Sequence, residues 1–313
     1  MLEDNNEIFF EYEKITRNVF DTKKYICIIC VCIIISIISI IIIIGVNKQN
    51  MKLVNMQKEN TNIGSESQNT NNSSKNIINE DKKRRLSTGK YPQYSINFEA
   101  EIDKIYYGDQ KVAYLTFDDG PSKSVTPEVL KVLKEEQVPA TFFVLGKNVK
   151  KYPEIIREIH KSGHYIANHS YTHEYSELYE SVDSVLKEVE NTEKELKKVL
   201  GTEYNTHLFR FPGGSHGGYY QGIKTKAKAK LKEKRIYSLN WNCLTGDAEG
   251  YNSVESQLEQ FEETRKEDIG LIVLLHDLGD KENTPETTKK IIQKLKKEGY
   301  VFKNFYEIFK PKI

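Results

Sequence analysis

Four short segments of this chain carry residue types that could do chemistry together. In Thr116-Phe117-Asp118-Asp119-Gly120-Pro121, two adjacent carboxylates open a turn. In His169-Ser170-Tyr171-Thr172-His173, two imidazoles lie at i and i+4. That spacing puts both on one face of a helical turn, which suits two ligands on one metal ion. Arg210-Phe211-Pro212-Gly213-Gly214 joins a cation able to orient a carboxylate with glycines that let backbone approach a ligand. Leu274-Leu275-His276-Asp277 ends an apolar run in an imidazole. Each segment alone has an ordinary reading, as a good turn, a surface histidine pair or a satisfied core histidine. Two histidines with one carboxylate, however, make a three-ligand site whose open position admits water, the arrangement of catalytic rather than structural zinc.

The elements that must position these residues are legible from periodicity. Short apolar runs at 112–117, 140–145, 164–168, 207–211, 236–241, 271–276 and 300–304 predict strands. Helical stretches lie between them. Thr126-Pro127 and Thr284-Pro285 each place a cap residue before a helix-opening proline. Val182, Val185, Leu186, Val189, Leu196, Val199 and Leu200 repeat at helical spacing, with Gly201 as the stop. Alternation of this kind predicts parallel βα units. In an α/β barrel, chemistry gathers at the C-terminal ends of the strands. The pairs Asp118/Asp119 and His169/His173, with Arg210 and His276, follow or end four different predicted strands. That coincidence outweighs any single residue.

In their order the segments resemble the motifs of the polysaccharide deacetylases, the NodB-homology domains of carbohydrate esterase family four: T-F-D-D-G, H-[ST]-x-x-H, R-x-P-x-G, a D-x-x-D-W-like element and [LI]-x-H. Four of the five are intact, and the resemblance spans residues 106–309. It implies a distorted (β/α) barrel of about seven parallel strands. It further implies that Asp119, His169 and His173 bind a divalent metal, zinc first, with Co2+ or Ni2+ as alternatives. Asp118 would then be the general base, oriented by Arg210, and His276 the general acid. The backbone N–H of Gly213 would help stabilise an oxyanion, with Pro212 and Leu274 beside the substrate. The fourth motif departs from the family pattern. In Asn240-Trp241-Asn242-Cys243-Leu244-Thr245-Gly246-Asp247-Ala248, Asp247 matches the aspartate that orients the acid histidine, Ala248 replaces a tryptophan, and Asn242 stands where aspartate is common.

The implied reaction is physically coherent. An acetamide is a poor electrophile and water a poor nucleophile at neutral pH; a bound cation corrects both. A carboxylate takes the water's proton, fixed donors stabilise the oxyanion, and an imidazolium protonates the departing amine. Bacterial peptidoglycan N-acetylglucosamine is the expected substrate. Chitin oligomers, acetyl-xylan or an exopolysaccharide are the alternatives within the same chemistry, and an inactive glycan-binding domain is the alternative outside it.

The rest of the chain places this domain. Residues 25–46 form an uncharged apolar run, close to the roughly 20 residues that cross a bilayer core. It is longer than the usual signal-peptide h-region and no small-residue cleavage pattern follows, which favours an uncleaved anchor, with a cleaved signal as the alternative. The expected organisation is a cytoplasmic tail at 1–24, a transmembrane signal-anchor helix at 25–46, a flexible linker at 47–105 and an extracellular catalytic domain at 106–313. The linker is rich in Asn, Ser, Lys and Glu, and has a mean reach of about 40 Å. A net charge of +1 gives no sign of a nucleic-acid partner, and no motif implies a protein partner. Cys27, Cys30 and Cys32 lie in the apolar run, so the outer domain, with Cys243 alone, is expected to have no internal disulfide. The lysines from Lys224 to Lys234 read as a solvated helix face.

Overall fold

The computed structural model describes residues 91–266 and 269–309. The apolar run at 25–46, the cytoplasmic tail and the linker up to residue 90 lie outside the described residues, and among the described residues no helix is long and apolar enough to cross a membrane.

Eight strands form one sheet: β1 (Val112–Asp118), β2 (Ala140–Val144), β3 (Tyr165–Asn168), β4 (Leu208–Phe209), β5 (Tyr237–Ser238), β6 (Cys243–Leu244), β7 (Leu271–His276) and β8 (Val301–Phe302). Their order is β5-β4-β3-β2-β1-β7-β6, with β8 on the start of β1, and every pairing is parallel. β5 and β6 end the path without pairing, so the curled sheet is an open, distorted barrel. Each of the seven predicted runs contains a strand. The eighth, β6, carries no periodicity in its two residues; pairing with β7 defines it.

The helices are α1 (Phe98–Tyr107), α2 (Thr126–Glu135), α3 (Gly146–Lys151), α4 (Pro153–Lys161), α5 (Tyr175–Leu178), α6 (Val182–Leu200), α7 (Gln221–Glu233), α8 (Val254–Thr264) and α9 (Thr284–Lys297). Strand alternation sorts the side chains into two cores. Ala113, Leu115 and Phe117 of β1, with Leu271, Val273 and Leu275 of β7, face outward into one cluster with residues of α2, α4, α8 and α9. Val112, Tyr114 and Ile272 face inward, where Phe98, Ile102 and Ile105 of α1 join Phe305, Tyr306 and Phe309 in a second cluster. The same alternation puts Thr116, Asp118, Leu274 and His276 on the inner face. The domain thus begins before residue 106, which corrects the linker boundary. α1 belongs to the fold because its apolar stripe fills the barrel interior.

Two local expectations also change. Thr126 and Thr284 start their helices but make no side-chain cap. Thr126 Oγ1 instead donates to Asp277 Oδ2 at 2.6 Å, and Thr284 Oγ1 to the His276 carbonyl at 2.9 Å, so both fasten the end of β7. α6 behaves as expected, with Ser181 as its cap and Gly201 at φ 107° as its stop.

Candidate active site

β1 and β7 are in a register that makes Asp118 and His276 partners, and Thr116 and Leu274 partners two residues earlier. Asp118 is almost fully buried, and its Oδ1 accepts from Arg210 Nη1 at 2.8 Å. Arg210 follows β4 and is itself fully buried. Its Nη1 also donates to Thr116 Oγ1 at 2.9 Å, and that hydroxyl donates onward to the Val273 carbonyl at 2.6 Å. The guanidinium lies 4.0 Å from the Phe143 ring centroid, so its fork is set by packing as well as by charge. Burial raises the Asp118 pKa, while Arg210 and then His276 oppose that rise. A carboxylate with a raised pKa is a better proton acceptor.

Asp119, His169 and His173 bring three ligand atoms within 4.8 Å of one another. Asp119 Oδ1 lies 3.5 Å from His169 Nε2 and 3.4 Å from His173 Nε2, and His169 Nε2 is 3.6 Å from Asp118 Oδ2. These separations are too long for good hydrogen bonds. Asp119 Oδ1 is buried with no hydrogen-bond partner, as a cation ligand would be. His169 Nδ1 stands 2.8 Å from the Arg210 carbonyl, which can only accept; Nδ1 therefore holds the proton and Nε2 a lone pair. Burial pushes the His169 pKa down to about 3, so the ring is neutral. This donor set fits a divalent cation bound by two imidazoles and a carboxylate.

The histidine pair is not on a helical turn. The segment from His169 to His173 is a loop, and Asp119, Ser170 and His173 adopt φ of 73°, 76° and 64°. Left-handed backbone costs a non-glycine residue roughly 1–2 kcal/mol, so its surroundings must hold it. Glu188 of α6 accepts from the Tyr171 and Thr172 amides at 2.8 and 2.7 Å, and Thr192, one turn on, donates to the Ser170 carbonyl at 2.8 Å. Asn148 donates to the Asp119 carbonyl at 2.8 Å.

The loop after Arg210 is clamped by its carbonyls. Tyr179 Oη donates to the Pro212 carbonyl at 2.6 Å, and Lys224 Nζ to the Gly214 carbonyl at 2.7 Å. Lys224 is therefore not part of a solvated face: it is buried over the Tyr179 ring, and burial lowers its pKa. Gly213 and Gly214 have φ of 69° and 77°, a region that favours glycine. The Gly213 N–H has no acceptor among the described residues and is free for a ligand.

On the opposite wall, Asp247 holds His276 twice: its Oδ1 is 2.8 Å from Nδ1 and its Oδ2 accepts from the backbone N–H at 2.8 Å. Burial works to lower the His276 pKa, but Asp247, with Asp118 and Asp119, raises it to about 9. The degenerate fourth motif thus still delivers its aspartate. Asn242, the other departure, bridges the Gly270 carbonyl and the Ile272 amide and belongs to the β6–β7 seam. Leu274 is buried on the inner face one alternation below His276.

Glu188, Thr192, Asn148 and Tyr179 lie outside the four motif segments, and Asp277 lies in the last of them with no role the motif assigns. Glu188 and Thr192 leave a signal, as polar residues at i, i+4 among the buried positions of α6. Asp277 is fully buried against Gly120, where a Cβ would meet both its carboxylate oxygens at 2.3 Å. Burial first, then Asp119 and Asp118, raise its pKa to about 7 against the hydrogen bond from Thr126.

Comparison with known proteins agrees with this geometry. A family model described as polysaccharide deacetylase matches residues 106–231. A peptidoglycan-N-acetylglucosamine deacetylase of Bacillus cereus is 32% identical over 204 residues, covering 64% of this chain and 71% of that protein. The peptidoglycan-N-acetylmuramic acid deacetylase PdaA of Bacillus subtilis is 31% identical over 210 residues, covering 66% and 76%. Among solved structures, a Streptococcus mutans CE4 esterase aligns with a TM-score of 0.60 at 32% identity, covering 67% of this chain and 91% of that one. The chain belongs to the polysaccharide deacetylase family, hydrolases that act on the amide bonds of acetylated polysaccharides.

Proposed function

We propose that this protein is a divalent-cation-dependent deacetylase of peptidoglycan N-acetylglucosamine, held at the outer face of a membrane by the apolar run at 25–46. One observation carries the reaction: Asp118 and His276 are register partners on adjacent strands, directly beside the Asp119–His169–His173 cluster. A base and an acid therefore face one cation site. A cation there, zinc by the nature of the donors, supplies Lewis acidity that activates water and polarises the acetyl carbonyl. Asp118, fixed by Arg210, accepts the water's proton as the oxygen attacks the carbonyl carbon. The Gly213 N–H offers a fixed donor to the oxyanion. His276, kept protonated by Asp247, gives its proton to the amine as the C–N bond breaks, leaving acetate and a free amino sugar. The peptidoglycan substrate is supported by what the named relatives act on and by the anchor expected from the sequence.

The test is acetate release by the full chain from peptidoglycan, chitooligosaccharides and acetyl-xylan, with and without chelator. Fastest release from peptidoglycan, abolished by chelation and restored by Zn2+, is the expected result. Release insensitive to chelation, or none from any N-acetylated glycan, overturns the proposal.

A further inference from the structure

Tyr175 opens α5 two residues after His173, and none of the roles above uses it. Its ring centroid lies 5.5 Å from that of His173 and 5.6 Å from that of Tyr179, so the side chain is wedged between the cation cluster and the clamped loop. Its hydroxyl occupies the space that a side chain at Gly213 would need: an ideal Cβ there would lie 2.5 Å from the phenol oxygen. The residue is still 41% exposed, so it lies at the cleft surface rather than in the core. Among the described residues that hydroxyl has no hydrogen-bond partner, whereas the buried Tyr179 hydroxyl donates to the Pro212 carbonyl. A phenol donor left unpaired beside a free N–H, at the edge of a cation site, is placed to serve a ligand.

We infer that Tyr175 is a catalytic residue whose O–H donates to the acetyl oxygen, with the Gly213 N–H, as that oxygen takes on negative charge during attack. The inference rests on the deacetylase reading. It makes no bond and moves no proton; the hydrogen bond strengthens as charge builds and relaxes when acetate leaves. The absent side chain at Gly213 is then what admits the phenol, so the two positions work as one.

The experiment compares the cation-loaded full chain with its Tyr175→Phe variant, which keeps the ring packed on Tyr179 and removes only the O–H. With an N-acetylglucosamine oligomer as substrate, kcat is expected to fall by about 100-fold, the low end of what losing one oxyanion donor costs. KM should change less than threefold and Zn2+ affinity should be unchanged. Calorimetric affinity for a methylphosphonamidate of glucosamine, a mimic of the tetrahedral intermediate, should fall at least tenfold. A Tyr175→Phe enzyme within twofold of the parent in kcat and in affinity for the mimic overturns the inference while leaving the deacetylase reading intact. A fall in kcat matched by a loss of Zn2+ affinity also overturns it, since the residue would then be supporting His173. A parent chain that deacetylates nothing removes both.

Discussion

The two walls of the cleft each hold a largely buried histidine, and the two are driven in opposite directions. His169 is pushed down to about 3, and His276 is raised to about 9. Burial favours the neutral ring in both cases. What differs is the group that meets Nδ1, which is the Arg210 backbone carbonyl for His169 and the Asp247 carboxylate for His276. A carbonyl fixes the tautomer and leaves a neutral ligand. A carboxylate fixes the tautomer and also supplies the charge that favours the protonated ring. In the proposed reaction one residue type thus does two jobs, because the chain delivers a dipole to Nδ1 of one ring and an anion to Nδ1 of the other. Arg210 joins the two walls: its carbonyl serves His169, and its guanidinium serves Asp118.

Deleting each imidazole separates the roles most sharply. His169→Ala is expected to abolish both Zn2+ binding in a calorimetric titration and acetate release. His276→Ala should leave Zn2+ binding near the parent value while lowering kcat by about 10²–10⁴-fold, the contribution of a positioned acid. Equal loss of Zn2+ affinity in both would erase the distinction. Arg210→Met strikes the residue that serves both walls. It leaves a buried carboxylate without its cation and is expected to cost about 3–5 kcal/mol in denaturant unfolding. An unfolding midpoint unchanged from the parent would show that Asp118 is not held as described.

Asp247→Asn makes the surroundings of His276 more like those of His169. With its acid group raised to about 9, the parent should keep its activity through neutral pH and lose it as pH rises through that value and the ring deprotonates. Removing the Asp247 charge lowers that pKa, so the alkaline fall should move to lower pH, with kcat at neutral pH down about 10–100-fold. A variant whose alkaline limb stays in place would assign that limb to another group. The smallest effect is expected from Thr284→Val, which removes the 2.9 Å hydrogen bond to the His276 carbonyl. About 1 kcal/mol of stability should be lost, with the pH profile unmoved.

Much of the fold is legible in the residues alone. Apolar runs mark seven of the strands; those of β1 and β2 are continuous because these strands are buried on both faces. They do not mark β6, whose two residues gain their strand character only from β7. The residues of the site are legible by type and order, but their geometry is not. The i, i+4 spacing of His169 and His173 suggests a helical turn, and the segment is a left-handed loop. It stays in that shape through Glu188 and Thr192 of α6, whose contacts with it no local periodicity encodes. Lys224 reads as solvent-facing by residue type and is buried because the Gly214 carbonyl lies in reach of its ammonium group.

The family, the groups that could act and the strand ends that carry them are written in the order of residues, because motif chemistry and alternation are local properties. Folding sets which carboxylate meets a guanidinium and which meets an imidazole. It also sets which histidine is neutral and which charged, and which tyrosine hydroxyl lies unpaired at the cleft. Those outcomes depend on burial and on partners 29 to 92 residues away along the chain, and a pKa or an unpaired donor is a property of that neighbourhood rather than of the residue.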